Sequence, residues 1–237
     1  MPEQVPIELH RNLEAYRTAA AVAMYSHYYL FEEEEYLFNK YYRAGENVLD
    51  LACGLGRTTL LLHEMGMQVR GADRSDVFVQ TARRRLPYLD FRQGSYDRIE
   101  EADASFSHLL ISYNGIDYAF PEIQRVAAIR ECVRVLKPGG TLIFSSHNLK
   151  SLHWFSPCSF WGPRDKIRLT PKAFRDWSYV VEAGMHTFYA SRQFVIRQAE
   201  ECGLRLLETV SFRKLRNFQL SLYFSPYIHY AFQKPAE

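Results

Sequence analysis

Within VLDLACGLGRTT, residues 48–59, an apolar run ends in Asp50, and Gly54 and Gly56 then flank Leu55. Glycines at such a turn let the main chain approach a ligand closely, because no Cβ intervenes. A triphosphate-binding loop needs GxxxxGK[ST], and no lysine follows these glycines. A dinucleotide fingerprint needs GxGxxG, and Thr59 stands where its third glycine belongs. Asp50 opposes that reading too, since a carboxylate beside the turn repels a pyrophosphate resting on helix-end amides. Three further clusters have polar residues suited to binding: Asp73-Arg74, Gly94-Ser95-Tyr96 and Ser112-Tyr113-Asn114, with His147 beyond them.

The elements between these clusters alternate. NVLDLA, MQVRGAD, LDFRQG, SFSHLLIS and TLIFSS read as short strands buried on both faces. GRTTLLLHEMG reads as a helix stopped by Gly66, and SDVFVQTARRRLP as one capped by Ser75 and closed by Pro87. PEIQRVAAIRECVRVLKPGG opens a third helix on Pro121 and stops at Pro138-Gly139-Gly140. Such alternation predicts a parallel sheet with right-handed crossovers and helices on both faces. Ligands of such sheets sit beyond the carboxyl ends of the strands. All the polar clusters therefore fall on one rim. Residues 8–40 read as helical, with Glu32 to Glu35 as a solvated face.

Bulk composition sets limits. The chain has 237 residues, 47% apolar and 24% charged, as expected of a single globular domain. Its net charge of +2 disfavours a strong grip on nucleic acid. No stretch has the length of a membrane span, and no signal pattern opens the sequence, so a cytoplasmic protein is expected. The four cysteines form no CxxC pair, and no metal site is expected.

Asp50 through Gly56 resembles the first motif of the class I S-adenosylmethionine-dependent methyltransferases, with Ala52 where the family commonly has glycine. LKPGGTLIFS, residues 136–145, is similar to that family's turn into its fifth strand. RQFVIRQAEECGLRLLETV and YIHYAFQKP resemble its last helix and sixth and seventh strands. The resemblance implies a Rossmann-like, seven-stranded, mostly parallel sheet, its last strand antiparallel between the fifth and sixth. It implies S-adenosylmethionine as cofactor, held by Asp50, Ala52, Cys53, Gly54, Gly56, Asp73, Arg74, Ser95, Tyr96, Ser112 and Tyr113. Asp50 would face the ammonium, Asp73 the ribose hydroxyls, and Ser95 or Asp97 the adenine. The two glycines would leave no side chain beside the methyl donor. On this reading one domain comprises an N-terminal helical cap (1–44), a cofactor-binding core (45–146), an aromatic-rich lid (147–190) and a final helix with strands (191–237).

Methyl transfer from a sulfonium asks mainly for orientation and a dry site. The candidates for a direct part in the chemistry are Asn114, His147 and Tyr28. Asn114 resembles the asparagine after the fourth strand of glycine N-methyltransferase-like enzymes. His147 reads either as a base near neutral pH or as a polar group satisfying loop backbone. Tyr28 stands for a set of N-terminal tyrosines that would cover the sulfonium or simply pack. Residues 147–190 hold all three tryptophans, Trp154, Trp161 and Trp177, and are read as a lid over a small acceptor or as a structural or dimer surface. A small-molecule acceptor, methylated on N or O, is the expected partner, with a homodimer possible. The alternatives are a protein, peptide or RNA methyltransferase and a non-catalytic S-adenosylmethionine-binding subunit.

Overall fold

The computed structural model describes residues 14–151, 176–182, 185–211 and 224–236. After two short N-terminal helices, α1 (Ala19–Met24) and α2 (Glu32–Tyr41), strands and helices alternate. They run β1 (Asn47–Leu51), α3 (Arg57–Glu64), β2 (Gln68–Asp73), α4 (Asp76–Arg85), β3 (Asp90–Gln93) and β4 (Phe106–Ile111). A 3₁₀ turn (Gly115–Tyr118), α5 (Glu122–Val135) and β5 (Leu136–Asn148) follow. The chain then forms β6 (Trp177–Glu182), β7 (Met185–Ala190), α6 (Arg192–Glu201), β8 (Arg205–Val210) and β9 (Tyr227–Gln233).

The sheet runs β3-β2-β1-β4-β5, all parallel. β9 lies antiparallel between β5 and β8, the arrangement the resemblance implies. All seven expected strands are present. The β6–β7 hairpin adds two more, attached where Tyr189 and Ala190 pair with His147 and Asn148. Alternate residues of each strand bury against different helices. Val48, Leu110, Ile143 and Ala231 pack on Leu37 and Phe38 of α2. Leu109, Ile111, Phe144 and Phe232 pack on Ile129 of α5 and Val195 of α6.

Three local differences from the sequence reading have physical causes. The helix expected over 8–40 breaks at residues 25–31. Its aromatic run is a poor helix former, and the Tyr29 carbonyl accepts from the Arg57 guanidinium at 2.7 Å instead of from a later helical turn. Helix α5 ends at Val135, short of Pro138, because a proline drives its predecessor toward extended backbone. In the expected lid, Trp154 and Trp161 lie outside the described residues. Trp177 packs on Phe188 and Phe194, with ring centroids 5.8 and 6.0 Å away.

Candidate functional site

At the carboxyl end of β1 the chain turns through left-handed backbone at Ala52, Gly54 and Gly56, with φ of 55°, 58° and 86°. Ala52 thus adopts the conformation that glycine takes freely and other residues take at a cost. Gly56 is required for packing. A Cβ there would sit 2.6 Å from Phe91 and 3.1 Å from Leu86, so its face is turned to the core and not to a ligand. At Gly54 the nearest atom to such a Cβ is 3.9 Å away, on Phe78. Asp50 lies beneath the turn, fully buried. Its Oδ2 accepts from the Thr58 and Thr59 hydroxyls, both at 2.7 Å. Burial pushes its carboxyl up to about 6, against the pull of those two hydroxyls.

Asp73 closes β2 beside this turn. One carboxylate oxygen accepts from the Gly54 N–H at 2.8 Å, the other from the Ser75 N–H at 2.8 Å. Burial raises its pKa and the backbone N–H groups oppose the rise. At the end of β4, Ser112 and Tyr113 reach the same rim, and Gly115 follows so closely that a Cβ would lie 2.8 Å from that of Ala52.

These ends surround a cleft of about 1070 Å³, open mouth included. Of the residues singled out from the sequence, Ala52, Cys53, Gly54, Asp73, Arg74, Tyr96, Ser112 and Tyr113 line it. Asp50, Gly56, Ser95, Asn114, His147 and Tyr28 do not line it. Ser95 donates its hydroxyl to Asp97. Asn114 is buried, its N–H on Ser145 Oγ at 2.9 Å. His147 gives both its backbone N–H and its Nδ1 to Asp117, each at 2.7 Å. Asp117 also accepts from Arg125 at 2.6 Å and Ser146 at 2.7 Å. Tyr28 lies outside, its ring under Arg85 at 4.7 Å.

The N-terminal rings that do reach the cleft are Tyr16, Tyr25 and His27. Tyr16 meets Phe78 and Tyr118 edge-on at 5.8 and 5.7 Å, and Tyr25 meets Tyr113 at 5.5 Å. What fastens this segment is a pair the sequence reading missed. Glu34, read as part of a solvated face, is 1% exposed. Its two oxygens take Arg57 Nη1 and Nη2 at 2.8 Å each, and it also accepts from Ser112. Arg57 itself lies over Phe31 and Tyr113, 5.2 and 5.9 Å from the ring centres. Burial would raise the Glu34 pKa, but the guanidinium outweighs it and holds the carboxyl below its ordinary value.

Residues 48–140 match a family described as a methyltransferase domain. A demethylmenaquinone methyltransferase of Beutenbergia cavernae is 34% identical over 149 residues, covering 57% of this chain and 60% of that protein. A ubiquinone biosynthesis O-methyltransferase of Nitrosococcus oceani is 29% identical, with 60% of each chain covered. The chain thus spans less than two thirds of the length of these curated relatives. Among solved structures, an S-adenosylmethionine-dependent methyltransferase of Methanosarcina mazei superposes with a TM-score of 0.67 at 17% identity, over 88% of this chain and 99% of that one. A 1,6-didemethyltoxoflavin-N1-methyltransferase of Burkholderia thailandensis, with bound 1,6-didemethyltoxoflavin and S-adenosylhomocysteine, gives 0.67 at 14%, over 99% and 92%. These two likenesses show the fold. Among the described residues no helix is long and apolar enough to cross a membrane.

Proposed function

We propose that the chain is a class I S-adenosylmethionine-dependent methyltransferase, a reading its methyltransferase-domain match over residues 48–140 supports, and that it methylates an oxygen or nitrogen of a small molecule. The observation that carries this reading is the joining of Asp73 to the glycine turn by the Gly54 N–H at the cleft's edge. A carboxylate has about four acceptor positions, and backbone N–H groups of Gly54, Ser75 and Arg74 draw on Asp73, so it retains capacity for a ribose hydroxyl.

S-adenosylmethionine supplies a methyl group already activated on a sulfonium. The chain's part is then to hold, orient and keep dry. Asp73 and the Gly54 backbone would hold the nucleoside. Tyr16, Tyr25 and Tyr118 offer ring faces and edges around a cation and exclude water from it. Such ordering is worth about 7–11 kcal/mol when the reacting groups are well placed. His147 has a positioning role: with Arg125 and Ser146 it holds Asp117, whose neighbour Tyr118 lines the cleft. An acceptor with a flat ring suits these aromatic walls, and both curated relatives bear the names of quinone-pathway methyltransferases.

Titration calorimetry with S-adenosylmethionine tests the site. Asp73→Asn should weaken binding about 10- to 100-fold, the loss of one charge-assisted hydrogen bond or more. Unchanged affinity removes Asp73 from the site. A cell extract given methyl-labelled donor and the protein tests the acceptor class. Label in the small-molecule fraction supports the proposal, whereas label only in protein or RNA overturns it.

A further inference from the structure

From Thr18 to Phe31 the chain reads TAAAVAMYSHYYLF, with no Asp, Glu, Lys or Arg. So apolar a stretch normally goes inside, yet none of its residues is buried. Met24 is 49% exposed and Tyr29 53%. The stretch runs beside α4 from one end to the other. Arg17, just before it, pairs with Asp76 at 3.0 Å, and the Tyr25 ring meets that of Phe78 at 5.8 Å. Arg85 donates to Ser26 Oγ at 3.2 Å and lies over the Tyr28 ring at 4.7 Å. Beyond Asp76, residues 77–89 read VFVQTARRRLPYL, with Arg83, Arg84 and Arg85 and no acid. Arg17, Arg70, Arg92 and Arg134 each hold a carboxylate. Among the described residues the three arginines of α4 hold none: Arg83 donates to the Phe91 carbonyl, Arg84 to the Thr81 hydroxyl and Arg85 to Ser26. Tyr88, three residues past Arg85, is 64% exposed. Acids resume only at Glu32, after the Tyr29 carbonyl has turned to Arg57.

Exposed apolar groups gathered in one place mark a contact with a partner or a membrane. Here they stand beside cations that no carboxylate holds. We propose that residues 18–31 and the end of α4 form a docking face for an anionic lipid bilayer. Arg84 and Arg85 meet the headgroups, and each such arginine adds about fivefold to the affinity. Met24, Tyr29 and Tyr88 enter the boundary layer, where tyrosine rings sit well because one end is apolar and the other wet. A second copy of this chain suits the face less. A two-fold contact sets a patch against itself, which would bring arginines to arginines with no carboxylate between them. The face also borders the cleft. Tyr25 and His27 line it, while their neighbours Met24, Tyr28 and Tyr29 are exposed to solvent. An apolar acceptor carried in the bilayer would therefore reach the cleft along its own cover, without crossing water.

Co-sedimentation with vesicles tests the face, using phosphatidylcholine mixed with phosphatidylglycerol against phosphatidylcholine alone. The wild type should bind the mixed vesicles roughly 25-fold more tightly, about fivefold for each of Arg84 and Arg85. Raising the salt from about 0.1 to 1 M shortens the screening length from about 10 to 3 Å and should erase the difference. Arg84→Gln with Arg85→Gln should cut the preference to about fivefold or less. Met24→Ser with Tyr29→Ser should weaken binding to the mixed vesicles about tenfold, through the apolar area no longer buried. No preference in the wild type, or one that survives the arginine substitutions, overturns the face. A second readout needs no variant: amide hydrogen exchange over residues 18–31 should slow on the mixed vesicles, and protection confined to other segments overturns it as well. A dimer in solution that Met24→Ser with Tyr29→Ser splits, with no binding to vesicles, would give the face to a second copy instead and also overturn the proposal. None of these measurements uses a methyl donor, so their outcome is separate from that of the methyltransferase reading.

Discussion

Glu34→Gln should cost this protein about 3–5 kcal/mol, the usual penalty for leaving one member of a buried ion pair without its partner. Both members lie in the interior, with side-chain exposures of 1% for Glu34 and 11% for Arg57. Glutamine keeps the shape but offers one acceptor atom where glutamate has two. Its amide nitrogen would face either Arg57 Nη1 and the Phe31 N–H or Arg57 Nη2, donor against donor. For a chain of this length the loss corresponds to a melting point roughly 6–20 °C lower. Urea unfolding followed by circular dichroism measures it, with exposed Glu35→Gln as a control expected within about 0.5 kcal/mol. The sign of the pH dependence is fixed as well. A carboxyl held below its ordinary value of 4.5 in the folded state adds stability above that value, and the gain fades as pH falls through the folded pKa. The difference between wild type and Glu34→Gln should therefore be level from pH 7 to 5 and shrink in stronger acid. Replacing both partners, Glu34→Leu with Arg57→Met, should recover most of the loss, because no buried charge remains. If Glu34→Gln costs no more than Glu35→Gln, the pair does not fasten the N-terminal segment and the reasoning fails.

Two further outcomes are expected. Gly56→Ala should lose about 2–4 kcal/mol, from left-handed backbone and from the clash with Phe91; an unchanged urea midpoint would refute the packing role. Asp50→Asn tests a carboxyl raised in the folded state from 3.8 to about 6. The stability of its protonated form is full below 3.8 and lost as pH rises through about 6. The variant should therefore gain on wild type by up to roughly 3 kcal/mol between pH 4 and pH 7.5, and a difference flat with pH would contradict the shift.

The core fold was legible because its signals are local. Apolar runs such as NVLDL and FSHLLI are buried from both sides, and Ser75 caps its helix as its position suggests. The hairpin of β6 and β7 was not legible, because its pairing with the last two residues of β5 is a contact between distant segments. At the site, the strand ends put Asp73 and Gly54, which spacing had singled out, on one rim of the cleft. At Gly56 a Cβ would meet Phe91 and Leu86 of the core, and a glycine that core packing requires reads in one sequence like one that a ligand requires.

Glu34 was missed for another reason. Glu34 was in fact visible: it stands three and four residues before Leu37 and Phe38, on the stripe of α2 that faces the core. Its three acidic neighbours hid it, since the run was read as a block instead of position by position. An acid on an apolar stripe predicts a buried cation, and the nearest candidate in the cleft is Arg57, directly after the glycine turn. The Glu34–Arg57 pair therefore ties α2 to the start of α3, and Arg57, lying over Phe31 and Tyr113, carries that tie to the edge of the cleft, which Arg57 and Tyr113 line.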